Sequence, residues 1–391
     1  MNASDTTVAA RCTSSHRAAW RRVRRLLLVR LDNLGDVLMA TPAIAAMRAG
    51  LPDARLGLLA SPSGAAAAPY LSDIDDAIVF AAPWVKGDGA TDDVPLGEAE
   101  RKLIARLTAA RFDAAVIFTT CTQSALPAAL VCRLAGIPLR LAHCRENPYQ
   151  LLSDWVAESD AIGDGMRHEV ERQLALVASV GFAAHDRRLR FAVPASARDA
   201  MRSRLAGAGI DLTRPYVVVH PGASAESRRY PAALFGAAAA RIAHATGAAI
   251  VVTGAIAERA LIDELRASMT APAISLAGQL DLGELAALIE GAGVLVANNS
   301  GPAHLAAALG TPVVDLYALT NPQHTPWLVP ARVLNHPVPC RNCLKSQCPE
   351  GHHDCLRRVE PETVAAAAID LLRDTPPRVP LRGIALAEVE R

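Results

Sequence analysis

One repeated unit dominates this sequence: a short apolar run, a turn, then an Ala- and Leu-rich stretch at helical spacing. The runs LLLV at 26–29, YVVV at 216–219, IVV at 250–252 and VLV at 294–296 have no polar alternation. Strands of that kind are buried on both faces, which requires a parallel sheet covered by helices on each side. Crossovers between parallel neighbours are then right-handed. The pattern predicts strands over 25–29, 55–60, 77–80, 114–118 and 138–142 in the first half. In the second half it predicts them over 216–220, 249–253, 273–276, 294–297 and 312–317. Helices are predicted at 36–49, 98–110, 231–246, 257–268, 282–290, 301–309 and from 360 to about 372.

The alternation lapses between about 182 and 211, where a charged segment (185–190), Pro194 and a helix at 196–207 stand instead. This reads as the linker between two doubly wound α/β domains, expected to face each other across a cleft. The expected division is a basic arm (1–24), a first domain (25–190), a second domain (191–375) and a tail (376–391). A length of 391 residues accommodates two such domains.

Charge narrows the partners. Forty Lys and Arg balance 39 Asp and Glu, so nucleic acid held by phosphate neutralisation is not expected. No apolar run approaches the ~18 residues of a membrane span. The first 25 residues carry six Arg (11, 17, 21, 22, 24 and 25) against Asp5, with no apolar segment of a secretory signal. They read as a frayed basic arm or as a weak contact with anionic lipid headgroups. Eight Cys in a large, well-cored chain of this kind point to a cytoplasmic protein that needs no disulfides.

Three strand–loop–helix junctions carry chemistry-bearing residues, at the place where open α/β sheets bind ligands. The first is VRLDNLGDVL at 29–38. It has no dinucleotide or P-loop glycine pattern, Gly35 is expected to allow a tight turn, and Asp36 sits at the helix start. Two readings of Asp36 stay open, a helix cap and a general base. The second is VHPGAS at 219–224, followed by Arg228, Arg229, Tyr230 and Pro231. A small-residue loop before a helix favours phosphate, and Arg228 or Arg229 adds charge unless the pair is merely solvated. The third is ANNSGPAH at 297–304, where Ser300, the N–H of Gly301 and His304 suit a second phosphate, or His304 simply packs in the first turn. Asp73 and Asp75 have the spacing of a metal–nucleotide pair but precede a strand directly, so they read as its polar lead-in. Leaving-group charge would then be met by Arg and helix dipoles, without a catalytic metal. Cys340, Cys343, Cys348 and Cys355 lie within sixteen residues that also hold His352 and His353. That spacing suggests a closed structural Zn or Fe site, against the alternatives of disulfides or free thiols.

With these motifs in view, the chain resembles glycosyltransferase family 9, the ADP-heptose:lipopolysaccharide heptosyltransferases. The resemblance runs from about 26 to 372 through RLDNLGDVLMATPAI, VHPGAS with RRYP, GAIAER, NNSGPAHLAAALGTPVV and CRNCLKSQCP. It implies a GT-B fold of two Rossmann-like domains, acceptor on the first and nucleotide sugar on the second. It also implies inverting, metal-independent transfer at the cytoplasmic face of the inner membrane, with peripheral membrane contact and a lipopolysaccharide-core-type glycan as acceptor. By the same resemblance Asp36 is the general base and Arg228 the cation on phosphate and heptose. Ala223 and Ser224 fall in the phosphate loop, Ser300, Gly301 and His304 in the diphosphate motif, Glu258 in the acidic position and Leu280 near the adenine. Asn299 stands where the family usually has Asp, which leaves the donor sugar open. The Cys cluster is similar to clusters in iron-binding members that modify proteins. Alternatives are another nucleotide sugar, a protein acceptor, an epimerase on the same fold, or a sugar-nucleotide-binding module without catalysis.

Overall fold

The structure is a computed structural model that describes residues 14–85, 95–163 and 165–374. The arm up to residue 13 with Cys12, residues 86–94, Asp164 and the tail from 375 lie outside the described residues. The chain separates into two compact units. One runs to Ala192 and includes Pro322–His324; the other comprises Val193–Asn321 and the chain from Thr325 onward.

The first unit holds a six-stranded parallel sheet of β1 (Arg25–Arg30), β2 (Arg55–Ala60), β3 (Asp76–Val79), β4 (Ala114–Ile117), β5 (Leu139–Cys144) and β6 (Asp154–Ala157). Its order is β3-β2-β1-β4-β5-β6. The second unit repeats the design with β7 (Tyr216–His220), β8 (Ala249–Val252), β9 (Ala273–Ser275), β10 (Val294–Asn298), β11 (Val313–Leu316) and β12 (Ala331–Leu334), in the order β12-β11-β10-β7-β8-β9. Read from β9, that is the same winding. Each sheet therefore reverses its direction of growth once, between β1 and β4 and between β7 and β10. Loops diverge at such a switch point and leave a crevice at the carboxyl ends of the two strands.

The central strands form because both faces are buried: Leu26, Leu27 and Leu28 are fully covered, as are Val217 and Val218. The sixth strand of each sheet, β6 and β12, is absent from the sequence-based expectation. Both lie at sheet edges with half-exposed residues (DWVA and ARVL), so neither shows an apolar run. Helices Leu126–Leu134 and Glu169–Ser179 were likewise not expected from the pattern.

Part of the segment expected to be a frayed arm is helical. Residues Ser14–Trp20 form a helix, and the completely buried Trp20 donates from Nε1 to Asp154 at 3.1 Å. That packing fixes the segment before β1 to the edge of the sheet and overturns the frayed reading for it. The helix expected in the linker, Ala195–Gly207, belongs to the second unit, where Arg198 pairs with Glu290 at 2.6 Å. Among the described residues no helix is long and apolar enough to cross a membrane.

Candidate functional site

In the first unit, β1 ends in Arg30 and the helix Leu34–Gly50 begins four residues later. Gly35 is buried inside that helix and is not among the residues with positive φ, so it does not make the tight turn expected of it. Asp36 is in the third helical position. Its Oδ2 accepts the Asn33 backbone N–H at 3.2 Å, and its Oδ1 lies 3.1 Å from Arg30 Nη2. Asp36 thus caps the helix and carries a charged partner at once, with its side chain 16% exposed.

Arg30 is the residue that organises this end of the sheet, and the motif reading missed it. It is completely buried. Its Nε faces Asp32 at 2.9 Å, Nη2 faces Asp36, and Nη1 donates to Glu169 at 2.8 Å. Burial opposes the guanidinium's charge, but the three carboxylates reverse that and raise its pKa above the usual value. For Asp32, burial dominates: despite Arg30, its carboxyl is pushed up to about 6, with Asp36 adding to the rise. Burial also works against ionised Glu169, yet Arg30, Arg172 and His324 outweigh it and hold the carboxyl at about 2. Gln173 donates to Glu169 at 2.6 Å, and Glu169 N–H donates to the Gln323 carbonyl at 3.1 Å. The segment Pro322–His324, which the sequence places inside the second domain, packs here as part of the first unit. The one available signal for this cluster was a charged residue closing an otherwise apolar strand, RLLLVR.

In the second unit the other two junctions lie side by side. β7 and β10 are adjacent and parallel, with His220 opposite Ala297, so the turns carrying Ser224 and Ser300 leave neighbouring strand ends. Asn298 joins them. Its Nδ2 donates to the Pro221 carbonyl at 2.7 Å and its Oδ1 accepts the Tyr230 N–H at 2.9 Å. The residue is fully buried, so both bonds are made away from water. Ser300 precedes the helix Gly301–Leu309, with its hydroxyl on the Asn298 carbonyl at 3.2 Å, and Asn299 and His304 are buried beside it.

Glu258 follows β8 and reaches the first turn. A Cβ added to Gly222 would stand 2.1 Å from its carboxylate, so only glycine lets the two approach. Its other oxygen accepts the Ala255 N–H at 2.8 Å. Burial lowers the His220 pKa in spite of Glu258, and His220 Nδ1 meets the Thr253 hydroxyl at 3.0 Å. Leu280 is half-buried in the loop after β9, which Gly278 N–H ties to the Gly254 carbonyl at 2.8 Å. The six residues Ala223, Ser224, Glu258, Ser300, Gly301 and His304 therefore come together at the carboxyl end of this sheet.

The two arginines differ. Arg229 is exposed and its Nε is spent on the Ala223 carbonyl at 2.8 Å. Arg228 is half-buried, and it is the cation that faces Asp315. Asp315 is completely buried on β11, and neither of its carboxylate oxygens has a hydrogen-bond partner. Burial raises its pKa well above the ordinary range, and Arg228 only partly opposes this.

Two expectations about metals are settled differently. Asp75 accepts from Arg48 at 2.6 Å and from the Leu56 N–H at 2.7 Å, and Asp73 pairs with Arg190 at 3.2 Å; both are strand lead-in held by arginine. Cys340, Cys343, Cys348 and Cys355 are free thiols, and among the described residues no three His, Cys, Asp or Glu side chains assemble into a group able to hold a metal. Cys340 Sγ lies 3.8 Å from His352 Nε2. The expected four-thiolate site therefore finds no support among the described residues. The loop is instead tied down by backbone contacts: Ser227 N–H donates to Ser346 at 2.9 Å and its hydroxyl to Lys345 at 2.6 Å. It thereby buttresses the turn that carries Arg228.

A cavity of about 610 Å³ lies at the amino ends of β7, β8 and β9, away from the crevice where such sheets bind ligands.

Comparison with known proteins bears on the family and the fold. The profile of Glycosyltransferase family 9 (heptosyltransferase) matches residues 100–353. Lipopolysaccharide heptosyltransferase 2 of Escherichia coli K12 is 28% identical over 351 residues, 87% of this chain and 96% of that one. Lipopolysaccharide heptosyltransferase 1 of Pseudomonas aeruginosa is 31% identical over 46% of this chain and 49% of that one. Among solved structures, a family 9 glycosyl transferase from Veillonella parvula superposes with a TM-score of 0.74 at 20% identity, covering 90% of this chain and 98% of that one. The E. coli ADP-heptose heptosyltransferase II gives 0.68 at 23% identity, covering 90% and 99%. The fold is that of the GT-B class.

Proposed function

The chain belongs to glycosyltransferase family 9, and on that premise we propose that it transfers heptose from ADP-heptose to a lipopolysaccharide-core-type glycan, with inversion and without a catalytic metal. The observation that carries this reading is the pair of turns at the β7/β10 switch point, tied together by Asn298. Two small-residue turns on adjacent strand ends, one opening a helix, present backbone N–H groups to two phosphates of one diphosphate.

In the proposed step the acceptor hydroxyl oxygen attacks the anomeric carbon. Asp36 takes the hydroxyl proton, and the bond from the anomeric carbon to the phosphate oxygen breaks. The electron pair leaves on ADP, whose charge Arg228 and the helix at Gly301 stabilise. Attack opposite the leaving group inverts the anomeric centre. Glu258 and Asn299 contact the donor beside the turns, and Leu280 lies toward the adenine. Work at the cytoplasmic face of the inner membrane fits such an acceptor.

The test is turnover of ADP-L-glycero-β-D-manno-heptose with a truncated core acceptor in EDTA, with the product anomer read by NMR. Inverted product formed in EDTA supports the reading. Retained configuration, or turnover restored only by a divalent cation, sinks it. A second reading keeps the reaction and changes the donor. It is favoured by Asn299, whose amide lacks the charge of a carboxylate for gripping sugar hydroxyls. Calorimetric titration with ADP-heptose against other nucleotide sugars separates the two.

A further inference from the structure

The first unit has a cavity of about 230 Å³ at the carboxyl ends of β1 and β4, its own switch point. It is smaller than the roughly 300–1,000 Å³ typical of pockets for drug-sized ligands, and suits a single sugar ring. Its polar wall is made by Asp32, Thr119, Thr122, Gln123 and Ser124, and Trp84 stands at its side. Trp84 is half-buried and braced by Phe80, with ring centroids 5.7 Å apart and planes tilted by 47°. An aromatic face beside hydroxyls, an amide and a carboxylate matches a pyranose, which has an apolar C–H face and a rim of hydroxyls. Gln123 Nε2 donates to Asp32, so the amide and the carboxylate stand together.

The sign of the wall is informative. None of the described lining residues is Lys, Arg or His, and the one full charge is Asp32. Arg30 lies behind Asp32, but it already faces Asp32, Asp36 and Glu169. A second carboxylate entering this space would meet net negative charge and find no cation to pair with among the described lining residues. A neutral polyol instead offers O–H donors to Asp32 and acceptors to Gln123.

We propose that this cavity receives a neutral pyranose unit of the acceptor glycan and discriminates against a sugar acid at that position. The inference rests on the glycosyl-transfer reading and goes beyond it in naming the chemistry of one acceptor subsite. The site also adjoins the reacting residue, because Asp32 and Asp36 share the guanidinium of Arg30.

The experiment is saturation-transfer NMR titration of the full chain, loaded with ADP, at pH 7.5. The probes are methyl α-D-mannopyranoside and the methyl glycoside of the corresponding mannuronic acid. The neutral glycoside is expected to bind at least tenfold more tightly. Trp84→Ala and Gln123→Ala are each expected to weaken it at least fivefold, with ADP affinity changed less than twofold by calorimetry. Equal or tighter binding of the uronate, or wild-type binding of the glycoside by both variants, overturns the inference. Separate titration with ADP-heptose keeps the two readings apart. Selectivity for the neutral glycoside without ADP-heptose binding upholds the cavity and sinks the donor assignment, whereas lost selectivity with intact donor binding sinks the cavity alone.

Discussion

The buried guanidinium of Arg30 lies 3.1 Å from the carboxylate of Asp36, and the same group donates to Glu169 at 2.8 Å. A carboxylate held this way is fixed in orientation, which a general base needs before it can accept a proton. Asp36→Asn keeps the size and the helix-capping oxygen but removes the basic site. Transfer is expected to fall by at least about 10²–10⁴-fold, with donor affinity within twofold of wild type by calorimetry. Turnover near the wild-type rate would remove Asp36 from the chemistry.

Arg30→Met leaves the buried Glu169 and the partly buried Asp32 and Asp36 without their shared cation. Removing one partner of a buried ionic cluster costs about 3–5 kcal/mol. Urea unfolding at pH 7.5 checks this, and a loss below about 1 kcal/mol, the level of an exposed pair, would show that the cluster is not held as described.

Asp32 and Glu169 give opposite pH dependences. Asp32 is raised to about 6 from an ordinary 3.8, so the folded state binds its proton more tightly than the unfolded chain does. Its contribution to stability is fully present below about 3.8 and is lost as pH rises toward 6. Glu169 is lowered from 4.5 to about 2, so its contribution is present above 4.5 and is lost as pH falls toward 2. Asp32→Asn is therefore expected to flatten the fall in unfolding free energy between pH 4 and 6 and to leave the acid limb below pH 4 in place. Urea midpoints across pH 2–8 read both windows, and an unchanged slope between 4 and 6 would contradict the burial of Asp32.

Asn298→Ala strips a buried partner from both the Pro221 carbonyl and the Tyr230 N–H. Each orphaned group costs about 1–3 kcal/mol, so stability is expected to fall by about 2–6 kcal/mol. The two turns also lose their tie, which should raise KM for the nucleotide sugar more than it lowers kcat. Steady-state kinetics at a temperature where the variant is folded tests this.

Arg228→Ala removes the cation facing the completely buried Asp315. Weaker nucleotide-sugar binding and lower turnover are expected, with Lys restoring part of both. Arg229→Ala should do less to turnover, because its guanidinium is committed to the Ala223 carbonyl. Equal effects of the two substitutions would make Arg228 an ordinary surface residue.

Ten of the twelve strands were legible in the chain, because a strand buried on both faces must be apolar throughout. The three junctions were legible for a similar reason: small residues, a helix start and a polar side chain lie within a few positions of one another. The edge strands β6 and β12 were not, since half-exposed residues leave no apolar run to read. The cysteine spacing pointed to a metal site for which the described residues give no support, and the loop's contacts with Ser227 joined residues far apart in the chain.

By itself, then, the sequence determined the doubly wound α/β class and the local chemistry of each turn, since both follow from neighbours along the chain. Only the tertiary structure decided that Arg30 meets Glu169 across 139 positions and that Asn298 clasps Pro221 across 77. Such partners share no local pattern. They are selected because a group removed from water must find its hydrogen bond or counter-charge wherever the packed chain supplies one.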